Sequence, residues 1–284
     1  MKYEKKSQRI FFTHARKIAL GFFLIIIVGT LLLMLPISSR SGEWTSLVNA
    51  LFTATSATCV TGLVVFDTYQ YWSIFGQLVI IVLIQIGGLG FITFGVGFSM
   101  FLKRKIGLAR RNLIQESVSA LKLAGVVKLV KKIIIGTAIF EGIGAVLLAI
   151  RFVPKMGLLV GIYNAVFHSI SAFCNAGFDL MGRYEQYSSL TVYSSDIVIN
   201  ITIMLLIIIG GLGFIVWDDI WYNRLNFKKY SLHSKIVLIS TTVLVFGSAI
   251  LFGIFENNNL MQNMNPLEKV LASLFASVTA RTAG

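Results

Sequence analysis

The side chains with chemistry to offer are mostly uncharged and small. TATSATCVTGL at 53–63 carries hydroxyls, a thiol and a glycine, with nothing ionised. An altered copy, HSISAFCNAGF, stands at 168–178, and a weaker third, ASLFASVTARTAG, at 272–284. His14, His168 and His233 are scattered, with no spacing for zinc or for a catalytic base. No Ser–His–Asp or Walker pattern accompanies them, so enzyme activity is not expected. What these stretches can supply is main-chain oxygen. Glycine lets a backbone turn its carbonyls inward, and rings of carbonyls can replace the hydration shell of a dehydrated cation.

Such rings need several copies around one axis, and the chain is built from copies. LVNALFTATSATCVTGL (47–63) lies over IYNAVFHSISAFCNAGF (162–178) at an offset of 115, matching Asn49 to Asn164, Ser56 to Ser171, Cys59 to Cys174 and Gly62 to Gly177. The third copy, at an offset of 222, matches Ala50 to Ala272 and Gly62 to Gly284. IGGLGFI at 86–92 returns at 209–215, an offset of 123. Internal repetition of this kind precedes any choice of fold. Cys59 and Cys174 occupy equivalent places, which favours a shared small-residue role over a disulfide.

The elements that must position these stretches are membrane helices. The chain has 284 residues, 56% hydrophobic and only 13% charged, with a mean hydropathy of +0.81. Apolar windows at 18–34, 73–102, 133–150, 197–217 and 236–255 predict five spans of about 30 Å hydrocarbon. The first is too long for a signal-peptide core and lacks a small-x-small cleavage site. The net charge of +13 sits mainly in the N-terminal tail and in the connections after the second and fourth spans. That is the positive-inside pattern, which places the N-terminus in the cytoplasm and argues against nucleic-acid binding.

Between the spans lie shorter segments at about 44–57, 158–172 and 266–278, too short to cross the bilayer. They read as re-entrant helices on the outer side. Each must return through non-helical backbone, which at membrane depth survives only inside protein or along a water-filled path. Each short helix would aim the negative end of its dipole at that path. The expected fold is an all-α integral membrane protein of tandem membrane helix–pore helix–filter–membrane helix repeats, like a potassium channel. The boundaries are a basic tail (1–16), repeat one (17–105), an amphipathic connection (106–129), repeat two (130–222), a connection (223–234) and repeat three (235–284), whose membrane and pore helices alone are present.

SATCVTGL, AFCNAGF, the two IGGLGF motifs and ASVTARTAG together resemble the Trk/Ktr/HKT superfamily of potassium transporters, most of all its Ktr-type membrane subunit. The resemblance covers essentially the whole chain. It implies four repeats as a pseudo-tetramer around one pore, with one filter glycine per repeat. Those map onto Gly62, Gly177 and Gly284, with Val60, Thr61 and Leu63, Asn175, Ala176 and Phe178, and Thr282 and Ala283 around them. Glycine at 62, where plant members that prefer sodium carry serine, implies potassium. The resemblance further implies K+ as the bound ion, no covalent cofactor, and a multi-pass protein of the plasma membrane. It also implies a homodimer regulated by a cytosolic ring of nucleotide-binding RCK-type subunits; sodium coupling stays open. The chain reaches only the third filter glycine, so the expectation is an incomplete copy, lacking a fourth repeat and the gating loop. The alternatives are a secondary transporter of another cation or solute, built on broken helices, and a non-transporting scaffold or fragment.

Glu141 lies within the third span, where a carboxylate needs a partner. A basic residue of a fourth repeat and a plain bond to a neighbouring helix are equally good candidates. IGGLGFI predicts close helix packing or a bend below the filter. Asp218 and Asp219 read as a solvated helix end. Asp67 and Asp179 read as loop charge or as cation attractors at the outer mouth. The basic stretch 103–132 predicts a surface helix, and the resemblance gives it the added role of docking the regulatory ring.

Overall fold

The computed structural model describes residues 14–90, 93, 126–224 and 226–282. Ten helices carry the fold among these residues. In repeat one they are α1 (His14–Met34), α2 (Leu47–Thr58), the single turn α3 (Thr68–Tyr71) and α4 (Ile74–Leu89). Repeat two holds α5 (Val126–Met156), α6 (Leu158–Phe173), α7 (Ile197–Gly211) and α8 (Phe214–Asn223). Then come α9 (Leu232–Glu256) and α10 (Pro266–Ala280). No strand occurs among the described residues, and the chain is an all-α membrane protein.

Exposure is inverted relative to a soluble bundle. Phe23, Val28, Leu31, Val146, Ile150, Val243, Phe246 and Ile250 are each more than half exposed, whereas Thr53, Ser56, Asn164, His168, Ser169 and Ser171 are buried. Apolar side chains face outward, as lipid requires, and polar ones gather around the short helices. Val127–Met156 and Leu232–Glu256 are each long and apolar enough to cross a bilayer. The described part of the expected span 73–102 is α4, which stops at Leu89.

The expected continuous span 197–217 is corrected: α7 and α8 meet at a bend of 96°. The break falls at Gly213 (φ +86°), and its repeat-one counterpart Gly90 (φ +77°) ends α4. These left-handed angles exclude most side chains, which is why the same glycine of IGGLGF interrupts both helices. Expecting a bend in this motif was sound. Placing it within one unbroken span was not.

The repeats pack in a regular order. Within repeats, α1 lies on α2 and α4, α5 on α6 and α7, and α9 on α10. Between repeats, α4 packs on α6 and α7 on α10. The helix that follows each return stretch, α4 and then α7, therefore cradles the short helix of the next repeat. The α5–α6 corner is tight: Gly157 (φ +83°) turns the chain, and a Cβ at Gly161 would sit 2.6 Å from Val153 Cα. Asn265 and Glu268 form a reciprocal capping box that starts α10, with Pro266 at its first position.

At the start of α7, Asp196 accepts from the amides of Val198 and Ile199 and pairs with Arg151 at 2.8 Å. Burial raises the Asp196 pKa, but the Arg151 guanidinium and the two amides outweigh it and leave the carboxyl below its ordinary value. A depressed pKa contributes stability above the ordinary carboxylate pKa, and that stability is lost as pH falls through the folded value. Asp196→Asn is expected to lower the Tm of the detergent-solubilised protein at neutral pH. Titrating both proteins below about pH 4 should shrink the difference.

Candidate functional site

The three short helices end in the same way. Cys59, Cys174 and Arg281 are their C-caps, all in right-handed conformation. In the first, the Val60 amide donates to Ala57 O (3.3 Å) and the Thr61 amide to Ser56 O (2.9 Å). In the second, the Asn175 amide donates to Ala172 O (3.0 Å) and the Ala176 amide to Ser171 O (2.8 Å). These are Schellman caps, in which two orphan carbonyls are satisfied by the chain that follows. In the third, the Thr282 amide donates to Thr279 O (3.1 Å), the equivalent of the first bond. Ala283 and Gly284 lie outside the described residues.

A Schellman cap needs a left-handed residue just past the helix, usually glycine. Here that place is held by Val60 (φ +58°) and Asn175 (φ +59°). Asparagine tolerates the conformation, but a β-branched valine adopts it rarely. Gly62 (φ +77°) and Gly177 (φ +73°) supply a second left-handed residue two positions on. Glycine at 62 and 177 was legible as a turning point, whereas the strained Val60 carried no sequence signal. With its amide oriented to satisfy both neighbours, Asn175 donates to Ile207 O (3.0 Å) and accepts from the Gly211 amide (3.2 Å). That stitches the second return stretch to α7.

The IGG pairs wedge between these ends. A Cβ on Gly87 would collide with the Thr58 carbonyl, and one on Gly210 with the Phe173 carbonyl, the last residue of the short helix in each repeat. The next glycine faces the following repeat. A Cβ on Gly88 would lie 2.6 Å from Cys174 Sγ, and one on Gly211 2.8 Å from Arg281 Nη2 and 3.6 Å from Thr282 Cγ2. One glycine admits the repeat's own helix end and its neighbour admits the next. The three ends are thereby brought together in chain order.

Glu141, on α5, finds its partner across the repeat boundary. Gln85 Nε2 donates to both its oxygens, at 3.0 and 3.3 Å, and Ser169 Oγ donates to its carbonyl at 2.7 Å. Of the two readings open from sequence, the bond to a neighbouring helix is the one observed. Asp67 is buried and fully used: its Oδ1 accepts from the Tyr69 and Gln70 amides, and its Oδ2 from the Tyr187 amide of repeat two. Asp179 accepts from the Met181 amide. Asp218 and Asp219 stand at a solvent-accessible helix end, as expected, and both are also paired there. Asp218 pairs with Lys132 at 2.6 Å, and Asp219 accepts from the Ser231 amide and from Asn223, tying α8 to α9. Cys59 and Cys174 are both free thiols. The basic tail and most of the 103–132 connection lie outside the described residues.

The glycine wedge makes a sharp comparison. Gly87→Ala and Gly210→Ala should each reduce the yield of monodisperse protein and its Tm, because the obstacle is backbone. Gly142→Ala, in an open helical site with nothing within 4 Å of a Cβ, should leave both unchanged or raise stability by about 0.5–1 kcal/mol.

Known proteins bear out the family resemblance. The family model described as TrkH, cation transport protein, matches residues 3–284. The chain is 44% identical to the potassium/sodium uptake protein NtpJ of Enterococcus hirae over 282 residues, covering 99% of this chain and 61% of that protein. It is also 44% identical to the Ktr system potassium uptake protein B of Bacillus subtilis, covering 99% and 62%. With the protein of the same description from Vibrio alginolyticus it shares 39%, covering 95% and 58%. The chain thus spans about three fifths of the length of these relatives. These are transporters and not enzymes. On the extent of the family match and the identity to these relatives, the chain belongs to the TrkH family of cation transport proteins.

Proposed function

We propose that this chain supplies pore-lining repeats of a potassium uptake protein, with main-chain carbonyls of the return stretches as the selectivity filter. The observation that carries this reading is the shared Schellman cap, followed in both fully described stretches by two left-handed residues at alternate positions. Val60, Thr61, Gly62 and Leu63 would form the first side of the filter. Asn175, Ala176, Gly177 and Phe178 would form the second, and Thr282, Ala283 and Gly284 the third. The short helices would aim their negative ends at the ion. K+ is the bound ion on this reading, and the printed name of the Enterococcus relative supports testing sodium as well.

The proposed setting is the plasma membrane, with the N-terminus cytoplasmic as the charge pattern requires. Assembly as a homodimer with a nucleotide-binding regulatory ring is proposed from the family resemblance and from relatives named as parts of a Ktr system. Nucleotide would act through that ring and not at a site on this chain.

The test is complementation by the full-length gene in potassium-uptake-deficient cells. Wild type should restore growth on limiting potassium, and failure to do so would remove the potassium assignment. Gly62→Ser should cut K+ uptake while raising Na+ uptake relative to K+. Unchanged uptake and ion preference in that variant would remove the filter assignment.

A further inference from the structure

The two fully described return stretches begin alike and then diverge. In the second, side chains of α6 reach over the stretch beyond the cap. Ser171 Oγ donates to the Phe178 carbonyl at 2.6 Å, and His168 Nε2 accepts from the Leu180 amide at 3.2 Å. Because Nε2 accepts, the imidazole proton is assigned to Nδ1, which donates to Asn164 O at 2.7 Å. This neutral ring is fully engaged at both nitrogens. Phe178 and Leu180 are buried at 2% and 1% exposure, and Asp179 between them accepts from the Met181 amide.

The first stretch has the matching positions but not the bonds. Ser56 stands where Ser171 does, yet its hydroxyl is buried with no partner among the described residues. Thr53 replaces His168 and turns its hydroxyl back to Asn49 O at 2.9 Å. Past the cap, Thr61 Oγ1 bonds Ser56 O at 3.2 Å, which lies before the glycine and not after it.

We propose that Ser171 and His168 are positioning residues that clamp the second return stretch, Ser171 holding one lone pair of the Phe178 carbonyl and leaving the other for an ion, so that ion selectivity is set more by repeat two than by repeat one. The inference rests on the filter reading above. A carbonyl that accepts from Ser171 directs a lone pair into the protein, and its freedom to swing toward a passing ion is reduced. The Leu63 carbonyl lacks that donor. On the snug-fit account of selectivity a filter resists collapse around the smaller ion, and on that account the clamped side contributes most to excluding Na+.

The experiment compares equivalent positions in the full-length protein reconstituted in liposomes, reading the ratio of Na+ to K+ uptake. Ser171→Ala is expected to raise the ratio about threefold or more, and Ser171→Thr, which keeps the hydroxyl, to stay near wild type. Ser56→Ala should leave the ratio unchanged, since its hydroxyl meets no partner among the described residues. His168→Phe should behave like Ser171→Ala, whereas His168→Gln, whose amide oxygen can accept from Leu180, should restore much of the selectivity. If His168→Phe does not fold, the serine variants decide the matter alone. A Ser171→Ala ratio equal to wild type, or equal to that of Ser56→Ala, overturns the inference. Gly62→Ser is run alongside: if it shifts the ratio and Ser171→Ala does not, the clamp fails while the filter stands. If neither shifts it, both fall.

Discussion

A peptide group that leaves a helix inside a membrane has nowhere to find water, and each one left unsatisfied costs several kcal/mol. After both α2 and α6 a short helix ends and the backbone continues without helical bonds. The structure meets the cost locally first. Chain amides fold back onto the last turn and occupy its open carbonyls. Buried hydroxyls, an asparagine amide and a neutral histidine then serve groups farther along. The polar interior and the apolar exterior are two consequences of that one requirement.

Close packing follows from the same need. A helix end with exposed carbonyls must be covered, and only backbone without a Cβ comes close enough. The paired glycines of IGGLGF do this on both sides, one against the repeat's own helix end and one against the next repeat's. The motif therefore sets the distance between repeats as well as the shape of one. A third glycine, at 90 and 213, ends the straight run and bends the chain away. Each glycine of the motif has a separate geometric duty, which explains why the phrase returns nearly unchanged at 209–215.

Ionisable groups inside the assembly serve the joints. Glu141 and Gln85 join the two repeats within the membrane, and Asp67 joins their loops through the Tyr187 amide. Arg151 and Asp196 close the start of α7 against α5. None of these carboxylates is left to attract ions by charge alone.

Periodicity and composition in the sequence determined the membrane class, the short helices and their repetition, because hydrophobic length and repeated phrases are linear properties. The glycines at 62 and 177 were legible for the same reason: a residue without Cβ in a polar turn has few other uses. Tertiary structure decided the rest. Val60 in a left-handed conformation, the partner of Glu141, the break in the fourth span and the use of Ser171 but not Ser56 depend on contacts between segments far apart in the chain. Two serines in matched phrases look identical as letters. Only the neighbouring backbone determines which hydroxyl meets a carbonyl and which meets nothing.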